Sequence, residues 1–102
     1  MNKRIRKMRN MAVESYRLFL AWGDIFQWFQ KEYKPDNKAY NETYDTIQES
    51  MGACIERYYA IRDCLHVLGV DLYKLKMPVK SKKKHREQLQ RFCNNMMKRG
   101  SG

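Results

Sequence analysis

The chain has few of the residues that build disulfide frameworks or turn-rich folds. Its 102 residues include three cysteines, two prolines and five glycines. Because Cys54, Cys64 and Cys93 are odd in number and irregularly spaced, a disulfide framework is excluded and reduced thiols are expected. The scarcity of glycine and proline disfavours an all-β fold. The length suits a single domain over residues 1–102 with one modest core.

Motifs of catalysis and cofactor binding are also missing. The sequence contains no glycine-rich phosphate loop, no nucleophile motif and no Cys-X-X-Cys pair. Cys64 and His66 come nearest to a metal-ligand pair, but residues two apart on a helix point in different directions. We therefore expect no enzymatic activity, no cofactor and no metal site.

Long apolar runs are absent as well. No run approaches the roughly 20 apolar residues that a membrane span needs, and the basic start is not followed by the apolar stretch of a signal peptide. Residues 1–13 are amphipathic and free of acids, which also fits a mitochondrial presequence. Since the apolar pattern continues unbroken beyond them, we expect a cytoplasmic protein.

What the sequence does contain is helical periodicity. In three stretches, apolar residues recur at alternating steps of three and four, which is typical of helices with one buried face. The first stretch stops before Lys34-Pro35, and the second is followed by Gly69, a residue that favours helix C-caps. The three stripes are Ile5, Met8, Ala12, Ser15, Phe19, Trp22, Phe26, Phe29 and Tyr33; Tyr40, Tyr44, Ile47, Met51, Cys54, Tyr58, Ile61, Leu65 and Leu68; and His85, Leu89, Phe92 and Met96, widened by Cys93 and Met97.

These stripes predict an all-α fold, an antiparallel helical bundle of three helices built on a long helical hairpin. The helices are expected at about 3–33, 37–68 and 80–98, with a basic linker at 70–79. An alternative is a break at Gly23-Asp24, where Gln27 would complete a capping box and the bundle would have four helices.

The first helix is apolar around more than half of its circumference. The apolar surface of Trp22, Trp28 and the neighbouring aliphatic residues is larger than one short third helix can cover. A homodimer, a higher homo-oligomer or a docked protein partner would bury this face, with Trp22 and Trp28 as the partner-binding residues. The alternative is that the linker at 70–79 folds back over it.

The charge is unevenly distributed along the chain. The formal net charge is +10, from 21 Lys and Arg against 11 Asp and Glu. Residues 1–10 carry five bases and no acid, and residues 74–102 carry ten bases and one acid, Glu87. An up-down-up bundle would bring the basic N-terminus and Lys74–Arg86 to one end, where they would repel each other unless an anion neutralised them.

This clustering predicts a small, basic, non-catalytic accessory protein that binds the phosphate backbone of RNA or DNA with low sequence specificity, as part of a larger nucleoprotein complex. The alternative is a protein–protein interaction module, such as an inhibitor, an adaptor or a small regulatory subunit, that docks through its aromatic helix face and its basic patch. The expected nucleic-acid-binding residues are Lys3, Arg4, Arg6, Lys7, Arg9, Lys74, Lys76, Lys80, Lys82, Lys83, Lys84 and Arg86.

Overall fold

The protein is built from helices. A computed structural model describes residues 2–35, 38–71 and 77–101, and within them the chain forms α1 (Lys3–Glu32), α2 (Lys38–Val67) and α3 (Lys83–Ser101). The predicted all-α helical bundle is confirmed. Helix α1 runs without interruption through Gly23 and Asp24, so the described residues form three helices and not four. A packed helix tolerates one glycine, since the cost against alanine is only about 1 kcal/mol.

Helices α1 and α2 form the predicted antiparallel hairpin. The ring of Phe29 stacks on that of Tyr40 with centroids 4.8 Å apart, and the rings of Tyr16 and Tyr58 lie 5.2 Å apart. Residues nearer the end of α1 therefore contact residues nearer the start of α2, as they do in an antiparallel pair. At 1.5 Å per residue each helix is about 45 Å long, which makes the molecule a rod of 52 × 22 × 19 Å.

The end of α2 is closed by Gly69, as the sequence predicted. This glycine has a φ of +82°, which L-residues with a side chain rarely adopt. Its N–H donates to the carbonyl of His66 at 3.0 Å, and the N–H of Val70 donates to that of Leu65 at 2.8 Å. This pair of bonds is the Schellman arrangement, which satisfies two carbonyls that the helix itself leaves unpaired. The predicted N-caps of α2, Asp36 and Asn37, lie outside the described residues.

Helix α3 packs against the half of the hairpin next to the connection between α1 and α2, which is formed by the end of α1 and the start of α2. The Tyr33 hydroxyl donates to Asn94 Oδ1 at 2.6 Å, and Thr43 Oγ1 lies 3.6 Å from Met97 Sδ. Cys93 and Met97 join the core around Phe29, whereas Phe92 remains 43% exposed. The buried face of α3 is thus centred on Cys93 and Met97, which the sequence placed at the edge of its stripe.

Two linker residues contact the other half of the hairpin. Val70 and Met77 pack on a second cluster, centred on the buried residues Ala12, Tyr58 and Leu65. This cluster does not include Trp22 or Trp28, so the expectation that the linker folds back over the face of those two residues stays a prediction. Leu72 to Lys76, between these two contacts, lie outside the described residues.

Helix α3 begins at Lys83, three residues later than predicted. Its first backbone bond runs from the N–H of Arg86 to the carbonyl of Lys82 at 3.1 Å. The carbonyl of Ser81 is instead taken by the side chain of Arg86, whose Nη1 donates to it at 2.8 Å. This side-chain bond keeps Ser81 outside the helix.

Gly23 provides a test of the uninterrupted α1. A Cβ added there would meet only Met51 Cε, at 4.0 Å, which is an ordinary contact. Gly23→Ala should therefore stabilise the protein by about 0.5–1 kcal/mol, because alanine loses less backbone entropy on forming a helix. Thermal unfolding followed by circular dichroism measures the change.

Gly69→Ala is the matched control. Its positive φ strains any L-residue, so the same substitution should lower the melting temperature there. A melting temperature that also falls for Gly23→Ala would contradict a continuous α1.

Candidate nucleic-acid interface

The first turns of α1 display the N-terminal bases on the surface. Lys3, Arg4, Arg6 and Lys7 are exposed, and they line a shallow concavity of about 500 Å³ together with Asn10. Asn2 caps the start of the helix, and its Oδ1 accepts the N–H of Arg4 at 2.8 Å. No acidic residue lies in this first turn. The fifth base, Arg9, is partly buried beside them.

One line of residues connects these bases to the middle of α1. It follows steps of four and three, so its members lie on one side of the helix. We call it the outer line: Lys3, Lys7, Asn10, Glu14, Arg17, Ala21 and Asp24.

Two members of the outer line, Glu14 and Asp24, contact the segment that starts α3. Lys82 Nζ lies 3.4 Å from Glu14 Oε1, and Ser81 Oγ donates to Asp24 Oδ2. Because Lys3 and Lys7 share one line with Glu14, these two bases lie on the same side of the molecule as the start of α3. We refer to the described bases of the two segments together as the basic strip: Lys3, Arg4, Arg6, Lys7, Arg9, Lys80, Lys82, Lys83, Lys84 and Arg86.

The strip is not the single basic end that the sequence led us to expect. The described bases at the start of α3 lie beside the middle of α1, because α3 has 19 residues against 30 in α1. Its pairing through Asn94 aligns it with the far end of the hairpin. The expectation of one common end is therefore wrong for these residues. Lys74 and Lys76 lie outside the described part of the chain.

Not all bases of the strip are available to a ligand. Arg86 Nη1 donates to both the carbonyl and the Oγ of Ser81, at 2.8 and 2.7 Å, and thereby holds the segment that reaches Asp24. Lys83 pairs with Glu87 at 3.7 Å across one turn, but both side chains are exposed, and such pairs contribute little. Arg86 is thus a positioning residue, whereas Lys80 and Lys84 are exposed cations.

Glu14 is the acid within the strip. Partial burial raises the pKa of its carboxyl, but hydrogen bonds from Arg17 and Lys82, with their positive charges, outweigh that effect and lower the pKa below its ordinary value. Arg17 Nη1 lies 2.8 Å from Glu14 Oε1. The carboxylate is therefore charged at neutral pH, and together with Arg17 and Lys82 it forms a group of net charge +1.

The two tryptophans lie differently from what a partner-binding face requires. Trp22 is only 9% exposed and packs edge-on against the ring of Phe92, with centroids 6.2 Å apart. It belongs to the core of one chain. Trp28 is half-buried and contacts Tyr33 edge-on at 6.1 Å. A partner could reach only Trp28 without displacing α3.

The histidines and cysteines form no obvious reactive group. Across residues 2–35, 38–71 and 77–101, no three His, Cys, Asp or Glu side chains are arranged to hold a metal ion. Burial raises the pKa of the Cys93 thiol to about 11, and it also raises that of Cys54. His85 is half-buried on α3, and its Nδ1 has no hydrogen-bond partner in the described structure.

In comparisons with known proteins, the chain matches no protein-family model, no curated protein and no solved structure. Among the helices described, none has the length and apolar character needed to cross a bilayer.

The contact between Lys82 and Glu14 should make stability depend on pH. Because folding lowers the pKa of Glu14, its contribution to stability is full above the ordinary value near 4.5 and is lost as the pH falls through the folded-state pKa. Glu14→Gln should therefore lower the melting temperature at pH 7, by an amount that shrinks on acidification below about pH 4.5. Thermal melts across this range measure it.

Glu42→Gln serves as the control for Glu14→Gln. Glu42 pairs with Lys38 at 3.8 Å, but both side chains are largely exposed, so its loss should scarcely change the melting temperature at pH 7. An equal fall in melting temperature in both variants would mean that the contact between Glu14 and Lys82 stabilises the protein no more than an exposed ion pair does.

Proposed function

We propose that the protein is a small non-catalytic accessory factor that binds the phosphate backbone of nucleic acid through the basic strip. The observation that supports this most directly is that Lys3 and Lys7 lie on the side of α1 that the start of α3 approaches, through the contact of Lys82 with Glu14. Phosphate is the anion that nucleic acids repeat at short intervals, so a line of cations suits it.

The unpaired cations of α1 strengthen the proposal. Among the described residues, no acid lies within ion-pair distance of Lys3, Arg4, Arg6 or Lys7. Keeping several like charges on adjacent turns costs free energy through mutual repulsion, and an anionic ligand would relieve it. No acid in the first turn of α1 offsets these charges.

The internal contacts explain how the strip keeps its shape without a ligand. Ser81 and Arg86 bind α3 to Asp24, and Lys82 binds it to Glu14. These bonds use two acids to hold the segment in place and leave Lys80 and Lys84 outside. A backbone-binding surface of this kind contacts phosphates and carries no information on base sequence.

Removing two positive charges at once tests whether the basic strip binds nucleic acid. We expect Lys3→Gln with Lys7→Gln to weaken binding to generic RNA and DNA, and to reduce the slope of log K against log salt by about 1.8, since each lost phosphate contact removes about 0.9 on duplex DNA. Fluorescence anisotropy at several salt concentrations gives the slope.

A matched variant with the same net charge separates location from overall charge. Lys31→Gln with Lys38→Gln removes two exposed lysines from the far end of the hairpin and should leave the slope unchanged. Equal losses in the two double variants, or no salt-dependent binding by the unaltered protein, would contradict the proposal.

A further inference from the structure

Two strongly exposed aliphatic residues follow each other at the end of α2. Val67 is 84% exposed and Leu68 is 57% exposed, and we call them the aliphatic pair. Leu68 continues the apolar stripe of α2, which is buried at Tyr58 and at Leu65. Single exposed aliphatic residues need no explanation, but two in succession at the tip of a rod-shaped molecule indicate a contact surface.

The basic start of α1 lies at the same end of the molecule. Ile5 and Met8, in the first turns of α1, pack on the cluster that contains Leu65. Leu65 is less than one helical turn away from the aliphatic pair. The exposed cations beside Ile5 and Met8 in the chain, which we call the α1 cations, are Lys3, Arg4, Arg6 and Lys7. Exposed aliphatic side chains and unpaired cations therefore occupy one end of the bundle.

This end carries a positive charge. The acids nearest to the aliphatic pair in the sequence are Asp63 and Asp71, and Asp63 lies 3.5 Å from the guanidinium of Arg62. The α1 cations outnumber these acids. Anionic ligands are therefore attracted to this end, and the aliphatic pair decides which kind of anionic ligand suits it.

The backbone at the end of α2 tolerates contact with an apolar phase. The carbonyls of Leu65 and His66 already accept the hydrogen bonds of the Schellman arrangement. Burying a carbonyl without a partner is costly, but these two carbonyls keep their partners when they leave water. The side chains of the aliphatic pair can thus enter an apolar phase without uncapping the helix.

We infer that this end of the bundle docks on the surface of an anionic lipid bilayer. The aliphatic pair reaches the boundary between headgroups and acyl chains, and the α1 cations lie at the level of the lipid phosphates. Nucleic acid offers phosphates on its surface but no apolar phase, so it would leave the aliphatic pair in water. The inference goes beyond the proposed function, and the two surfaces share the α1 cations but not the aliphatic pair.

Sedimentation with lipid vesicles measures this docking. Vesicles of two parts phosphatidylcholine and one part phosphatidylserine should bind the full chain at least about tenfold more tightly than vesicles of phosphatidylcholine alone, since each base near an acidic surface contributes about fivefold. Raising the salt concentration should weaken the binding, because salt screens the attraction between the α1 cations and the headgroups.

Val67→Ser and Val79→Ser form a matched pair of variants. Val79 is 86% exposed, much as Val67 is, but it lies two residues before Ser81, which contacts Asp24 beside the middle of α1. Val67→Ser should weaken binding to the acidic vesicles by about tenfold, since the burial of one valine is lost, whereas Val79→Ser should leave it unchanged. Both side chains are exposed, so circular dichroism should show the same helix content in the two variants.

The outcomes separate this inference from the proposed function. Absence of binding to the acidic vesicles would overturn the inference, and so would an equal loss of binding in Val67→Ser and Val79→Ser. A loss of RNA binding by Val67→Ser as large as its loss of vesicle binding would also overturn it, because the aliphatic pair would then contact nucleic acid. None of these results removes the salt-dependent binding to RNA or DNA on which the proposed function depends. Vesicle binding without salt-dependent binding to RNA or DNA would support the inference and overturn the proposed function.

Discussion

The seating of α3 on the hairpin is the constraint on which the rest of the structure depends. In its second half Asn94 accepts a hydrogen bond from Tyr33, and just before its start Ser81 and Lys82 contact Asp24 and Glu14. Cys93 and Met97 are buried in the core. Burial of apolar side chains supplies most of the favourable free energy, and the polar contacts accompany it.

This seating decides where the positive charge lies. Helix α3 is shorter than its neighbours and is aligned with one end of the hairpin, so its basic start lies beside the middle of α1. In the other half of the hairpin, Val70 and Met77 pack on the cluster around Ala12 and Tyr58. The position of α3 thus places its basic start on the side of α1 that carries Lys3 and Lys7.

Several features of the fold could be predicted from the sequence because they depend on local chemistry. Gly69 closes α2 since only glycine adopts its positive φ without strain. The stripe through Phe29 and Ile47 becomes core since both positions follow the helical period. The outer line through Lys7 and Glu14 also follows from residue spacing alone. The approach of α3 to this line could not be predicted, because spacing on one helix does not say which neighbouring segment packs against it.

The sequence by itself determined the helices, the hairpin and the excess of positive charge, because periodicity, capping and composition act within a few turns of the chain. Only the tertiary structure decided that Trp22 packs against Phe92 of α3 and that Arg86 supports Ser81. It also decided that Lys82 lies at Glu14, 68 residues away in the chain. Those outcomes depend on the position of the short α3 along the two longer helices. That position is set by the sum of many contacts between segments that are distant in the sequence.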